Sequence, residues 1–481
     1  MTSTEPSSSV ANDLSSEVSA IYLNKNESGE GSQASPESAS ALAPAPANNE
    51  EEKVDSASLS LMRKLTRTHL IQSKNEVEIT RNDPKSPLHS VKSFEELRIP
   101  EELLKGIYEM GFQAPSKIQE HVLPVLLSNP PSNLIAQSQS GTGKTAAFLL
   151  ASLCRVDERE NYPQVLILSP TLELALQTGQ VAKQMAKHKT SLTFRFVIRG
   201  VDLARNEKIT EHVILGTPGK VMDAALRYRN FDTKKVKVFV LDEADVMIDT
   251  QGHRAQSLKI QRALSPNCQI MFFSATYDDN VMEFAEMIVS NPLVLRLKRE
   301  EESLENIDQF FIECNNDFDK YRALANLFGT LTIGQVFIFC QTKKSAAWLA
   351  NQLTKDGHSV GLITGDLTVE ERTQIINRFR EGVERVLIAT NLMARGIDIE
   401  QVTVVINYDL PVDITTKDID FETYLHRIGR TGRFGKAGLA FNMVDSPRAL
   451  DMVKKLEQHY GRKIEKLDAS DIEKLEELNK E

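Results

Sequence analysis

The sequence predicts the α/β fold class: two parallel-sheet domains joined by a short linker, with a disordered N-terminal extension. Three observations carry this. At 481 residues with 41% hydrophobic content, the chain has material for two cores of roughly 150 to 200 residues each. From Phe94 onward, short β-branched runs alternate with longer helical patterns, the rhythm of a parallel sheet covered by helices on both faces. A charged, weakly periodic stretch, Lys298-Arg-Glu-Glu-Glu-Ser-Leu-Glu305, interrupts that rhythm and marks the linker.

Taken in order, residues 1–54 form an acidic, Ser-rich arm. The first 60 residues hold 15 Ser and a single aromatic, Tyr22, too little apolar surface to offset chain entropy. Residues 55–72 follow as an amphipathic helix, with Leu61, Met62 and Leu65 on one face and Arg63, Lys64 and Arg67 on the other. Tethered by about 25 residues, it has the reach to compete with domain closure or with a ligand held between the domains, or else is a transient helix in the arm. Residues 73–298 make the first domain, with strand-like runs at Leu134–Ala136, Val165–Leu168, Val213–Leu215, Val238–Leu241 and Ile270–Phe273. Residues 299–306 are the linker. Residues 307–481 make the second domain, with runs at Val336–Phe339, Val386–Ile388 and Val402–Ile406. Trp348, among apolar neighbours, is expected to pack in a core, and the charged tail from Lys454 to form a solvated helix.

Composition removes several function classes. No run approaches the 18 to 20 apolar residues of a membrane helix, and Met1–Ser19 is polar where a signal peptide needs an apolar centre. Cysteines at 154, 268, 314 and 340 have no close pair, which excludes a disulfide framework or zinc knuckle. The net charge of −10 does not exclude a polyanionic partner. The first 60 residues hold ten Asp and Glu against two Lys, which leaves only −2 for the other 421.

The strongest local signal is Ser138-Gln-Ser-Gly-Thr-Gly-Lys-Thr145, between a strand-like run and a helical one. It reads as a phosphate-binding loop, although Ser138 stands where the common pattern has glycine. The amides of Ser140, Gly141, Thr142 and Gly143 would wrap ATP phosphates, Lys144 would place a charge on them, and Thr145 would offer a hydroxyl to Mg2+. Asp242-Glu-Ala-Asp245 puts carboxylates at the C-terminal end of an apolar strand, where α/β sheets place ligand chemistry. Asp242 would hold the metal, and Glu243 would orient or deprotonate the attacking water. In Tyr424-Leu-His-Arg-Ile-Gly-Arg-Thr-Gly-Arg433, Arg427, Arg430 and Arg433 fall at spacing three and would share one face if helical. An arginine reaching across a cleft can stabilise a transferring phosphoryl group.

These motifs, in this order over nearly all of Phe94–Val444, resemble the DEAD-box family of superfamily 2 RNA helicases. Asp245 and His426 separate the chain from the DEAH relatives. The resemblance implies two RecA-like domains that close on ATP and single-stranded RNA, acting as a monomer. It implies that Gln119 hydrogen-bonds the adenine edge while Phe94 stacks on it, and that Asp398 binds the ribose. Arg430 and Arg433 would be arginine fingers, and Ser274, Thr276 and His426 would couple the ATP site to RNA. For RNA it implicates Pro170, Thr171, Gly200, Thr217, Pro218, Thr342, Gly365, Arg372 and Thr390, hydroxyls and amides that bind backbone without reading bases.

Leu172, Val369 and Asn391 depart from the usual arginine, glutamine and aspartate, and the first two imply weaker RNA affinity. The departures at Leu172 and Val369, with Asp83-Pro-Lys-Ser-Pro-Leu88 and the long Pro411–Thr423 loop, resemble the animal branch of the nuclear-pore mRNA-export helicases. That resemblance implies protein removal from exported mRNA at the cytoplasmic face of the pore, within a protein of nucleus and cytoplasm. Its partners would be a nucleoporin and an inositol-hexakisphosphate-dependent activator. A translation-type helicase and an ATP-gated RNA clamp remain open at this point.

Overall fold

The β-branched runs assemble into two separate sheets. A computed structural model describes residues 77–80, 91–137, 143–201, 203–249, 252–276, 279–297, 306–390, 401–413, 416–432 and 437–478. The acidic arm, the helix placed at 55–72 and linker residues 299–305 lie outside these. Both sheets belong to one compact unit.

The first sheet comprises β1 (Val77–Thr80), β2 (Leu134–Gln137), β3 (Val165–Leu168), β4 (Phe194–Val197), β5 (Val213–Gly216), β6 (Val238–Leu241), β7 (Gln269–Ser274) and β8 (Leu293–Leu297). Its spatial order is β1-β8-β2-β7-β6-β3-β5-β4. All pairings are parallel except the edge strand β1, which runs antiparallel to β8. The second sheet comprises β9 (Ile307–Glu313), β10 (Gln335–Cys340), β11 (Val360–Ile363), β12 (Val386–Thr390), β13 (Val402–Asn407), β14 (Gly438–Val444) and β15 (Glu465–Lys466), in the order β11-β12-β10-β13-β14-β9-β15.

Alternate side chains of each strand feed opposite cores. Val165 and Ile167 join Leu103, Phe148 and Met185 on one face of the first sheet, while Leu166 and Leu168 join Ala244, Ile260 and Phe284 on the other. Helices therefore cover both faces, which is why the central strands read as unbroken apolar runs. The covering helices approach closely: a Cβ on Gly106 would lie 2.0 Å from the carbonyl oxygen of Met185, so only glycine fits that crossing.

Two expectations are corrected. Trp348 is 39% exposed and meets Tyr321 edge-on, with ring centroids 5.7 Å apart. Its helix, Lys343–Lys355, buries Ala346, Leu349, Ala350 and Leu353 instead, and position 348, about 200° round the helix from Ala346, falls on the face away from that stripe. The charged tail is no single solvated helix. The helix Pro447–Tyr460 stops at Gly461, whose φ of 61° ends it, and the chain returns to add β15 beside β9. Ile464, Leu467, Ala469 and Leu475 then bury themselves against the second sheet.

All four cysteines are free thiols. Burial pushes Cys154 and Cys268 up to about 12 and Cys314 up to about 11, and raises Cys340 as well. Because only the thiolate reacts, labelling of the native protein at pH 8 should run on the order of a hundredfold or more below that of an unfolded control. Rapid stoichiometric labelling of the folded chain would contradict this packing.

Candidate functional site

The strand order gathers the candidate residues at one edge of the first sheet. β7, which carries Ser274, lies between β2, which leads into the phosphate-binding loop, and β6, which leads into Asp242. All three are parallel, so their C-terminal ends converge, the place where such sheets bind ligands. Ser138–Thr142 lie outside the described residues, and with them the predicted contributions of Ser140, Gly141 and Thr142. Gly143, at φ 97°, caps the helix Lys144–Cys154. A Cβ there would sit 2.6 Å from Gln119 Nε2. Lys144 is buried at the first position of that helix, followed by half-buried Thr145. Charge on a ligand at this end would meet both the ammonium and the positive end of the helix dipole.

Gln119 is tied to the loop. Its Nε2 donates to the Gly143 carbonyl at 3.0 Å, and its Oε1 accepts from Ser116 N at 3.0 Å. Phe94 is only 2% exposed and packs edge-on against Tyr108, so in this arrangement its ring presents no open face for stacking. Its short turn buries the ring as a core side chain.

Asp242 and Glu243 sit where β6 ends. Burial, and then the neighbouring Glu243 charge, push the Asp242 carboxyl up to about 7, against the pull of Lys144. Glu243 adopts φ 47°, a left-handed backbone uncommon for a side chain of this size. Its amide donates to Asp242 Oδ1 at 3.0 Å. Its buried Oε2 has no hydrogen-bond partner among the described residues.

The second sheet reaches this edge through the helix Phe421–Ile428. His426 Nε2 lies 3.0 Å from Asp245 Oδ2, with the two side chains 5% and 0% exposed. Thr276 Oγ1 lies 3.3 Å from Asp245 Oδ2 and 3.0 Å from Glu422 Oε1. Ser274 Oγ donates to the Thr276 carbonyl at 2.8 Å, which fixes the turn between them.

Arg427 and Arg430 do not share a helical face, because the helix ends at Ile428. Arg427 turns into its own sheet, donating to Asn407 Oδ1 at 2.8 Å and the Asp409 carbonyl at 2.6 Å, over the Phe339 ring. It is a structural residue. Arg430, buried beyond the helix end, donates from Nε to the His426 carbonyl at 3.0 Å. Arg433 and Asp398 lie outside the described residues, as does Asn391.

Several residues implicated in RNA binding open helices at strand ends. Thr171 and Thr342 cap their helices by accepting from Leu174 N and Ser345 N. Thr217 precedes the helix Pro218–Met222, and Pro170 is buried just before Thr171. A capping hydroxyl accepts through oxygen and can donate its proton elsewhere, to a ligand at Thr171 or, at Thr342, also to Ser345 Oγ 2.8 Å away, and neighbouring helix N–H groups suit phosphate. Gly200 (φ 92°) and Gly365 are exposed, and Thr390 ends β12. Arg372 is instead paired with Glu173, 2.9 Å away on the first sheet's side, and both side chains are largely buried. Glu173 and Glu422 were missed by motif reading. A signal for Glu422 was present, since it lies one helical turn before His426 on the same face.

Two family models match the chain, "DEAD/DEAH box helicase" over 116–284 and "Helicase conserved C-terminal domain" over 319–435. The cattle protein "ATP-dependent RNA helicase DDX19A" is 56% identical over 429 residues, covering 89% of this chain and 90% of the relative. The chain belongs to the DEAD-box ATP-dependent RNA helicases. This helicase also resembles two solved yeast structures. Dbp5 bound to RNA and ADP BeF3 matches with a TM-score of 0.76 at 44% identity, covering 81% of the helicase and 99% of that chain. A Dbp5 variant bound to Nup159, a Gle1 variant, IP6 and ADP matches with a TM-score of 0.61 at 42% identity, covering 79% and 98%. Among the described residues of the helicase, no helix is long and apolar enough to cross a membrane.

Proposed function

We propose that the chain closes its two sheets on ATP and single-stranded RNA, and that hydrolysis drives opening of short duplexes or removal of proteins from mRNA during export through the nuclear pore. The observation that carries the closure is the buried Asp245–His426 contact, which joins the Asp-Glu-Ala-Asp turn to the opposite sheet at 3.0 Å. Lys144 holds ATP phosphates in the ground state, Glu243 orients or deprotonates the attacking water, and Arg430 places positive charge on the transferring group. The desolvated carboxyl of Asp242, raised by burial beside Glu243, suits a cation. With Thr145 it would hold Mg2+, which when bound neutralises phosphate charge. The helix N-termini that open at Thr171, Thr217 and Thr342 would take the RNA backbone without base preference.

The yeast relatives named with Nup159, Gle1 and IP6 support a nucleoporin and an inositol-hexakisphosphate-dependent activator as partners. The same likeness supports placement at the cytoplasmic face of the pore. The test is affinity purification from cells with sequencing of the bound RNA. Nucleoporins in the eluate with spliced mRNA are expected, whereas ribosomal subunits and initiation factors without nucleoporins would overturn the export assignment. Single-turnover RNA release, faster with ATP than with a non-hydrolysable analogue by at least about tenfold, would accord with either motor or clamp. Duplex opening that requires hydrolysis in each cycle is expected of the motor alone.

A further inference from the structure

At the cleft, a donor and an acceptor from one sheet face an acceptor and a donor from the other. Thr276 and Asp245 stand on the first sheet's side. Glu422 and His426 stand one turn apart on a single face of the helix Phe421–Ile428. The contacts are 3.0 Å from Thr276 Oγ1 to Glu422 Oε1 and 3.0 Å between His426 Nε2 and Asp245 Oδ2. Thr276 Oγ1 also lies 3.3 Å from Asp245 Oδ2. A threonine hydroxyl has one proton to donate, and an ionised carboxylate has none. That proton can serve Asp245 or Glu422 fully, not both, and Glu422 is the nearer acceptor.

We propose that Glu422 is a positioning residue for the RNA-dependent ATPase. As the sheets meet, it takes the Thr276 proton away from Asp245, which leaves Asp245 Oδ2 to accept from His426. One hydrogen bond within the first sheet is thereby exchanged for two across the cleft. Glu422 acts through Thr276 and Asp245, and through them on the turn that carries Glu243. The assignment rests on the proposed closure of the two sheets on RNA. Because the new bond to a charged acceptor exists only when the sheets meet, it stabilises the closed state and leaves ATP binding to the open state alone.

The test uses the full chain, with Glu422→Ala, Glu422→Gln, Thr276→Val and the Glu422→Ala/Thr276→Val double variant. ATPase activity is titrated with single-stranded poly(U), and ATP affinity is measured without RNA. Glu422→Ala should raise the RNA concentration for half-maximal activity about tenfold, with RNA-free ATP affinity unchanged within about twofold. Glu422→Gln, which retains an acceptor oxygen, should recover most of that loss. In the Thr276→Val background, Glu422→Ala should have little further effect, since the pair acts as one unit. A Glu422→Ala titration that superposes on the wild type would overturn the assignment. So would a Gln variant no better than Ala, additive effects in the double variant, or loss of RNA-free ATP binding in both Glu422 variants. A wild-type ATPase without RNA stimulation would instead sink the proposed function.

Discussion

Glu243→Gln should lower ATP hydrolysis by about a hundredfold or more while ATP and RNA binding persist. The amide matches the carboxylate in size and can still accept a hydrogen bond, but it cannot take a proton from water. Three features make Glu243 the group to change. Its φ of 47° swings the residue out of the regular path after β6, its amide is anchored on Asp242 Oδ1, and its buried Oε2 has no partner among the described residues. Strain and an unmade hydrogen bond each cost stability, and both fit a carboxylate held in readiness for water. Glutamine has the same backbone preferences as glutamate, so the substitution leaves that conformation as it is. Single-turnover hydrolysis beside equilibrium ATP and RNA binding separates the roles. An unchanged turnover would remove Glu243 from the chemistry, and lost ATP binding would make it a structural residue.

Arg430→Ala should lower turnover at saturating RNA by on the order of a thousandfold, with little change in ATP affinity measured without RNA. Arg430 belongs to the second sheet's side, held by its Nε on the His426 carbonyl, while Lys144 and Asp242 belong to the first. Its charge would therefore reach the phosphates only when the sheets are together, and the ground-state complex formed by the first sheet would not register its loss. Arg430→Lys should recover little, because a lysine ammonium cannot keep the Nε anchor and present a planar fork together. A variant that hydrolyses ATP at the wild-type, RNA-stimulated rate would end the arginine-finger assignment.

Residue chemistry along the chain was sufficient for the two α/β units and for the two turns that the strand order brings to one edge of the first sheet. Strands such as Val165–Leu168 and Val238–Leu241 were legible because strands buried on both faces must be apolar throughout. The Gly143-Lys-Thr145 and Asp242–Asp245 turns were legible because phosphate and metal chemistry demand particular side chains at short spacing. Trp348 and the C-terminal tail were misread because local apolarity does not say which flank of a helix meets a sheet, or that a charged tail returns to a free strand edge. The arginine spacing misled for a similar reason. It assumed a helix that stops at Ile428, and Arg427 found better partners in Asn407 and Asp409.

Only the tertiary structure decided the contacts between the sheets. His426 and Asp245 are 181 residues apart, Arg372 and Glu173 are 199 apart, and Thr276 and Glu422 are 146 apart. At such separations local propensity carries no information about pairing. Partners are chosen by strand order, by where each helix ends, and by the cost of leaving a buried charge or hydroxyl unmatched. Helical spacing puts Glu422 on the face of His426, but its partner is decided only when the fold sets it 3.0 Å from a threonine that has a single proton to give.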